Sequence, residues 1–368
     1  MNRTHLRFLP PLLLAALLAL LLAGLAAAGG PGVGPAAAPP IPETNITFDS
    51  DVLSVAVQGD YAYVGIENIE NGLVILDITN PLRPVTLGHV RTLGIEFIDF
   101  LDEQTLVVSD NTSIGVLDVT NPHDPVWISP MTDYDAPPST IRAMKYFDGY
   151  LYVVGDCGFS IFDLRAPSSP QVVYTTDNPC DWVLYDVDVA LNSHDGHTYA
   201  YMAGDTYTGA KYSLAFIDVT DPVTPAIVYS NTDILTAMTS LAVRENRLYL
   251  GSLSYDFAVR NITTPAHPVL MSVISLPDVA NAMALGVDKV YTAGYDTLLT
   301  VDIQDQNRPQ LVLEHGDVHP KFSIAFSAEK NCIFLPEGAY GLRILCEAQA
   351  QPHPPSLVWL PLFSRRAN

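Results

Sequence analysis

Basic residues are scarce in this chain: 18 Lys and Arg stand against 40 Asp and Glu, a net charge of −22. A surface of that sign repels phosphate backbones and anionic headgroups, which argues against recognition of nucleic acid or anionic lipid through a basic patch. Catalytic signatures are missing too. There is no GxSxG elbow, no HExxH, no phosphate-binding loop and no dinucleotide fingerprint, so the chemistries tied to those local geometries find no support. Past residue 28, no stretch sustains apolar residues at i, i+3, i+4 and i+7 between helix caps, which excludes a helical architecture. Cysteine is limited to four residues.

Long apolar runs are confined to one place, Leu9–Ala28, behind Arg3 and Arg7 and ending in Ala26-Ala27-Ala28. A basic start, an apolar stretch and a small-residue site predict a secretory signal peptide over residues 1–28. The run approaches spanning length, so a retained membrane anchor is the alternative. No Cys ends the segment, which disfavours a lipoprotein. Residues 29–42 form a Pro/Ala/Gly linker of low complexity. At the other end, residues 348–368 are Gln- and Pro-rich, then apolar from Ser356 to Phe363, then basic at Arg365 and Arg366. Eight mostly apolar residues cannot span a bilayer. The order of apolar then basic resembles sorting tails of bacterial surface proteins, without an LPxTG motif; a plain tail or an added strand is the other reading.

Between these ends the chain repeats itself. One phrase recurs as GLVILDITNPLRP (72–84), SIGVLDVTNPHDP (113–125), GFSIFDLRAPSSP (158–170), SLAFIDVTDPVTP (213–225), DFAVRNITTPAHP (256–268), TLLTVDIQDQNRP (297–309) and a decayed GLRILCEAQAQPHP (341–354). The closing prolines Pro84, Pro125, Pro170, Pro225, Pro268 and Pro309 lie 41, 45, 55, 43 and 41 residues apart. That period holds four short strands with their turns, one blade of a propeller. Blade 1 reads LSVAVQG, YAYVGI, GLVILDI and PVTLGHV, with the alternation and β-branched content of strands. In six copies an Asp or Asn (Asp77, Asp118, Asp163, Asp218, Asn261, Asp302) ends the third strand. Its side chain can accept the backbone N–H two residues on and start the turn, while the prolines open an outer edge strand where a missing N–H is tolerated. A second recurrence, Tyr63/Gly65, Tyr152/Gly155, Tyr201/Gly204, Tyr249/Gly251 and Tyr291/Gly294, predicts aromatic packing between blades.

The phrases LVILDITNP, GVLDVTNP and AFIDVTDP resemble the LVIVD repeat, a β-propeller family of secreted and surface-attached bacterial and archaeal proteins. The resemblance implies a seven-bladed, all-β propeller with four antiparallel strands per blade, over residues 43–347. It implies no enzymatic activity and transfers no catalytic residues. The fifth copy departs from the pattern with Asn261, the sixth with Gln306 for the first Pro, and the seventh with Cys346 in place of Asp.

The seventh unit supplies KFSIAFS, CIFLP and GLRILC but no fourth strand, and Asn45-Ile46-Thr47-Phe48 resembles the fourth strand of blade 1. The N-terminal segment is therefore expected to complete the last blade. All four cysteines fall in the propeller, an even number suited to an oxidising compartment. Strand order places Cys332 opposite Cys346, and Cys157 beside Cys180, predicting two disulfides. Their spacings match no compact zinc knuckle.

Candidate site residues follow from which loops share a face. Turns between second and third strands, and connections between blades, gather at one face around the channel mouth. The former repeat an acid, Asp110, Asp156, Asp205, Asp256 and Asp296; the latter add Asp133, Asp135, Asp181, Asp233, Asp278 and Asp317. Two such charges about 10 Å apart repel by roughly 0.4 kcal/mol in water and about 1.7 kcal/mol at an effective dielectric near 20, which a hard cation such as Ca²⁺ or a cationic partner would relieve. His194 and His197 flank an Asp-Gly hairpin turn, and His315, Asp317 and His319, placed on the loop connecting blades 6 and 7, form a second weak metal candidate. The resulting expectation is a secreted or cell-surface monomer that binds an extracellular protein or glycan, with Ca²⁺ as its possible cofactor and no catalytic residues assigned. The alternative is an extracellular glycosidase, lyase or lactonase using paired carboxylates at the channel mouth.

Overall fold

The computed structural model describes residues 41–136, 138–176, 183–205, 213–231, 237–321 and 323–347. The expected signal peptide, most of the linker and the C-terminal tail lie outside these residues, as do Cys180, Asp181 and Asp233. The described chain forms seven four-stranded antiparallel sheets, with no helix among the described residues. It is a seven-bladed β-propeller.

The first strand of each blade lines the centre: Val52–Gln58, Phe97–Asp102, Thr140–Phe147, Leu184–Leu191, Met238–Arg244, Ala282–Leu285 and Ala325–Ser327. Each of these strands touches the next, and the last touches the first, so the ring is closed. Burial follows that order. Second and third strands such as Tyr61–Ile66 and Leu73–Asp77 are almost wholly buried, whereas the outer strands, such as Val269–Ser275, are largely exposed. Seven hydrophobic clusters result, one between each pair of neighbouring blades. The hydrophobic effect thus acts between blades, and no single central core exists.

The repeated acid does the turn-starting work its position implied. Asp77, Asp118, Asp163, Asp218, Asn261 and Asp302 each accept, through Oδ1, the backbone N–H two residues on, at 2.8 to 3.0 Å. The residue between acid and donor (Ile78, Val119, Leu164, Val219, Ile262, Ile303) is buried, so the turn also pins an apolar side chain into the blade interface. These turns lie at the propeller's lower face, at the opposite end of the blades from the second-to-third-strand turns.

Ring closure occurs through the N-terminal segment. Glu43–Ile46 pairs antiparallel with Leu342–Cys346, Glu43 opposite Leu345 and Ile46 opposite Leu342. The closing strand lies two residues earlier than the Asn45–Phe48 resemblance suggested. Ile41 and Pro42, assigned to the linker by composition, already touch the last blade: Ile41 packs on its core and the Pro42 carbonyl accepts the Cys346 N–H at 2.9 Å. Cys332 and Cys346 face each other across the same sheet and form a disulfide. The Cys157–Cys180 pairing involves a residue outside the described set.

The Tyr/Gly recurrence has two separate causes. Tyr63, Tyr152, Tyr201, Tyr249 and Tyr291 are buried, and two contact rings of the next blade, Tyr63 on Phe100 at 5.6 Å and Tyr291 on Phe326 at 4.8 Å. The glycines answer to close backbone approach: a Cβ on Gly65 would lie 2.0 Å from the Ile95 carbonyl oxygen, and one on Gly155 would lie 1.9 Å from that of Thr140.

Candidate functional site

At the upper face, where the second-to-third-strand turns and blade connections meet, the predicted acids are spread around the ring and most have protein partners. Asp110 accepts the N–H groups of Thr112 and Ser113 at 2.8 and 2.6 Å, a turn of the same kind as those below. Asp256 accepts the Ser275 hydroxyl at 3.3 Å. Asp296 is exposed, and its N–H donates to the buried Asp278, which also accepts the Tyr295 N–H and the Thr297 hydroxyl. Asp317 is exposed with φ 61°, and its carbonyl accepts Arg343 Nη2. Asp133 accepts the Asp135 N–H at 3.0 Å.

Two predicted acids of neighbouring blades are joined through intervening side chains. Asp156 takes a two-pronged ion pair from Arg142, Nε to Oδ1 at 2.6 Å and Nη2 to Oδ2 at 3.0 Å. The Arg142 guanidinium sits 5.2 Å from the centre of the Tyr185 ring, whose hydroxyl donates to the buried Asp205 at 3.3 Å. This chain of contacts runs from blade 3 to blade 4 at the mouth of the channel. Burial, aided by the Asp205 charge, raises the Tyr185 phenol pKa, so it stays a donor. A guanidinium fixed between a carboxylate and an aromatic face is geometrically constrained, and because Asp156 neutralises it the face remains acidic.

The weak metal candidates separate in space. His197 approaches Asp218 at 2.6 Å on the lower face. His315 belongs to the outer strand Gln310–Gly316, a correction to its placement on the connecting loop, and lies 3.7 Å from Glu43. His319 stacks on Tyr340 at 4.2 Å, and its N–H donates to the buried Glu337. Among the described residues no three His, Cys, Asp or Glu side chains come together in an arrangement that could hold a metal ion.

One carboxylate with raised pKa, Glu96 on the connection into blade 2, is pushed up by burial with the charges of Asp110 and Glu67 adding to the effect. Two more lie deeper, on the inner strands, where no acid had been singled out. Asp186 accepts the N–H of Leu241 and Asp188 that of Val243, both at 2.8 Å and both from the neighbouring blade. Each also accepts the N–H of its own following residue. Asp99 does the same for Tyr146 at 2.8 Å, and Lys145 lies 3.4 Å from it. Burial pushes the Asp186 carboxyl up to about 7, with the Asp188 charge adding to the effect. Asp188 is also raised by burial, against the pull of Lys145. Burial alone would lower Lys145, but the charges of Asp99 and Asp188 outweigh it and hold the ammonium protonated. The chemistry is that of a clamp. First strands of adjacent blades present edge N–H groups with no ladder partner, and a buried donor must be satisfied. Ser54 and Ser240 serve the complementary groups, donating to the carbonyls of Ile95 and Ala280 in the next blades at 2.8 and 2.6 Å. The sequence signal was present: two acids two apart within the apolar strand LYDVDVAL.

The clefts on the lower face are open hollows beside turns, about 440 Å³ along Asp102, Glu103 and Asp118 and about 390 Å³ beside Asp163 and Arg165. No helix among the described residues is long and apolar enough to cross a membrane.

Comparison with known proteins agrees with this geometry. The LVIVD repeat matches residues 50–92 and 145–177, within blades 1 and 3. No curated protein matches the chain. Among solved structures, the β-propeller domain of Myceliophteria thermophila Cps50 (Swd1) is similar with a TM-score of 0.63 at 12% identity, over 83% of this chain and 100% of that one. Kuenenia stuttgartiensis hydrazine synthase gives 0.61 at 10% identity, over 83% and 98%. Porphyromonas gingivalis PorZ, a bacterial surface component of the type-IX secretion system, gives 0.57 at 12% identity, over 84% of this chain and 38% of that one. Identities this low establish shared fold alone. The chain is a seven-bladed β-propeller that carries LVIVD repeats.

Proposed function

We propose that this propeller is a non-catalytic interaction module acting outside the cell, and that its upper face is the binding face. The observation that carries the reading is the contrast between its two faces. On the lower face the repeated Asp, Asn and Pro residues build nearly identical turns, each with its side chain engaged by its own backbone. Among the described residues of the upper face the acids are engaged differently from blade to blade, Asp110 closing its own turn while the Arg142–Asp156–Tyr185–Asp205 chain spans two blades. A regular scaffold bearing irregular loops is the arrangement in which recognition resides. The net charge of −22 favours a cationic partner through electrostatic complementarity. An extracellular address is supported by the Cys332–Cys346 disulfide, which persists in oxidising compartments, and by the signal-like residues 1–28.

The enzymatic alternative looked for a carboxylate pair at the mouth. Asp186 and Asp188 instead accept backbone N–H groups through both oxygens, which favours a scaffolding role for them. Glu96, raised by burial with the charges of Asp110 and Glu67 adding to the effect, is the upper-face acid left to that alternative.

Protease shaving of intact source cells tests the address, and the chain should be cleaved without lysis. Labelled full-length protein should then bind those cells, with binding weakened by Arg142→Ala and Tyr185→Ala and unaffected by Asp124→Asn on the lower face. Protection from shaving, or equal loss from the lower-face variant, would reject the reading.

A further inference from the structure

Five tyrosines of the second strands are buried, yet three others stand out in the solvent at turn tips on consecutive blades. Tyr255 of blade 5 is 47% exposed, Tyr295 of blade 6 is 57% exposed and Tyr340 of blade 7 is 55% exposed. All three lie in second-to-third-strand turns, hence on the upper face. Leu253 and Ile69 are exposed on the turns of blades 5 and 1, and Leu93 on the connection that follows blade 1. The corresponding turns of blades 2 and 3, Asp110–Ser113 and Asp156–Gly158, have no aromatic residue. We propose that this tyrosine crescent is the docking surface for an arginine- and lysine-bearing segment of another protein.

Each tyrosine is held by a different device. Tyr255 has φ 64°, a backbone region that bulky L-residues avoid and that glycine would occupy without strain. The turn is locked there by the Leu276 N–H, which donates to the Tyr255 carbonyl at 2.6 Å. A large aromatic at a position suited to glycine serves the surface rather than the turn. Tyr295 is fixed by Asp278, a buried carboxylate that accepts its N–H at 2.8 Å and also holds the two following residues. The Tyr340 carbonyl accepts Asn45 Nδ2 at 3.0 Å, and its ring lies against His319 at 4.2 Å and 22°. Rings presented on rigid turns lose little entropy on binding, which is why tyrosine predominates in recognition surfaces.

The charge around the crescent selects the partner. Glu67, Asp49, Asp296 and Asp317 are exposed on these turns and connections, and Asp256 is partly exposed. Among the described residues the cations nearby are already paired, Arg91 with Glu70 at 2.8 Å, Lys321 with Asp51 at 3.6 Å and Arg343 with Glu337 at 2.9 Å. Aromatic faces attract guanidinium and ammonium groups, and the flanking carboxylates add ion pairs. A neutral glycan could stack on the rings but would leave the carboxylates unused, and an anionic glycan would be repelled. Adjacent blades are sheets packed on the order of 10 Å apart, so the crescent spans roughly 20 Å, the reach of about six extended residues.

The proposal rests on the upper face being the binding face, and the test separates the two. Full-length protein is titrated against a labelled short peptide of alternating Arg and Gly, its Glu-Gly counterpart, and neutral and uronic oligosaccharides. The Arg peptide should bind, more weakly as salt rises, and the Glu peptide should not. Tyr255→Gly, Tyr295→Ser and Tyr340→Ser should each lower affinity about tenfold, the scale of an aromatic anchor. Tyr255→Gly should melt at or above the wild-type temperature, showing that the lost binding is not lost folding. Absence of Arg-peptide binding, or binding of oligosaccharide in its place, overturns the proposal. Binding that survives all three tyrosine variants but falls in Arg142→Ala or Tyr185→Ala overturns the crescent and leaves the upper face as the binding face. Loss in the lower-face variant Asp124→Asn alone overturns both.

Discussion

The Asp188 carboxylate accepts the backbone N–H of Val243 at 2.8 Å and thereby joins the first strands of blades 4 and 5. It also lies in the field of Lys145. Replacing Asp188 with Ala strands a buried donor and removes a countercharge. The expected cost is about 1–3 kcal/mol, read as a lower melting temperature. Asp188→Asn keeps one acceptor oxygen and should recover part of the loss. An Ala variant that melts like wild type would dismiss the clamp.

Asp186 carries the opposite pH signature to an ordinary paired carboxylate. Its folded pKa is raised from 3.8 to about 7. Between those values the folded protein holds a proton that the unfolded chain has released, so this group's contribution is full below about pH 4 and is lost as pH rises through about 7. Asp77, Asp118, Asp163 and Asp218 are lowered, by their turn hydrogen bonds and, for Asp163 and Asp218, by Arg165 and His197. Their contributions are present above the usual carboxylate range and fade as pH falls below it. Melting temperature should therefore decline between about pH 5 and 7 in wild type, with a shallower decline in Asp186→Asn. Parallel profiles would contradict the assignment.

Removing residues 41–46 opens the ring. The strand Glu43–Ile46 contributes a ladder to Leu342–Cys346, and at roughly 1 kcal/mol net per hydrogen bond the loss should reach about 3 kcal/mol. A synthetic peptide of residues 41–50, added in trans, should restore part of the melting temperature by adding back the missing strand. No destabilisation on deletion would refute strand closure.

Reduction of Cys332–Cys346 removes a cross-link within the same blade, 14 residues apart in sequence. Loop entropy puts its worth at about 3 kcal/mol. Thermal melts with and without reductant, checked by alkylation of both thiols after reduction, should show the drop. Identical melts would mean the bond adds no stability.

The turn acids should tolerate amide replacement but not truncation. Asn261 performs in blade 5 the task Asp118 performs in blade 2, accepting the N–H two residues on at 2.8 Å. Asp118→Asn should therefore be close to neutral, and Asp118→Ala should cost about 0.5–1 kcal/mol. Peptide binding at the upper face should be the same in both. An Asn variant as damaged as Ala would show that charge, not the acceptor, matters.

What the amino-acid sequence determined by itself was whatever depends on near neighbours. Asp77 and Thr79 are two residues apart, and the hydrogen bond between them is a property of that local phrase. Repetition of the phrase therefore specified the blades, their number and the lower face. The Cys332–Cys346 pairing was legible for the same reason, since both flank one hairpin. The upper face was legible only in outline. Asp156 and Asp205 were placed there correctly, but Arg142 and Tyr185, which connect them, belong to inner strands that look like ordinary alternating strands in one dimension. Asp186 and Asp188 were missed because their partners lie 55 residues away, on a strand that becomes a neighbour only when blades stack. Tyr255, Tyr295 and Tyr340 read as further members of a tyrosine-rich chain until the turns exposed them side by side. Local hydrogen bonding set the scaffold, whereas burial, shifted pKa values and surface presentation followed from contacts that exist only after the ring has closed.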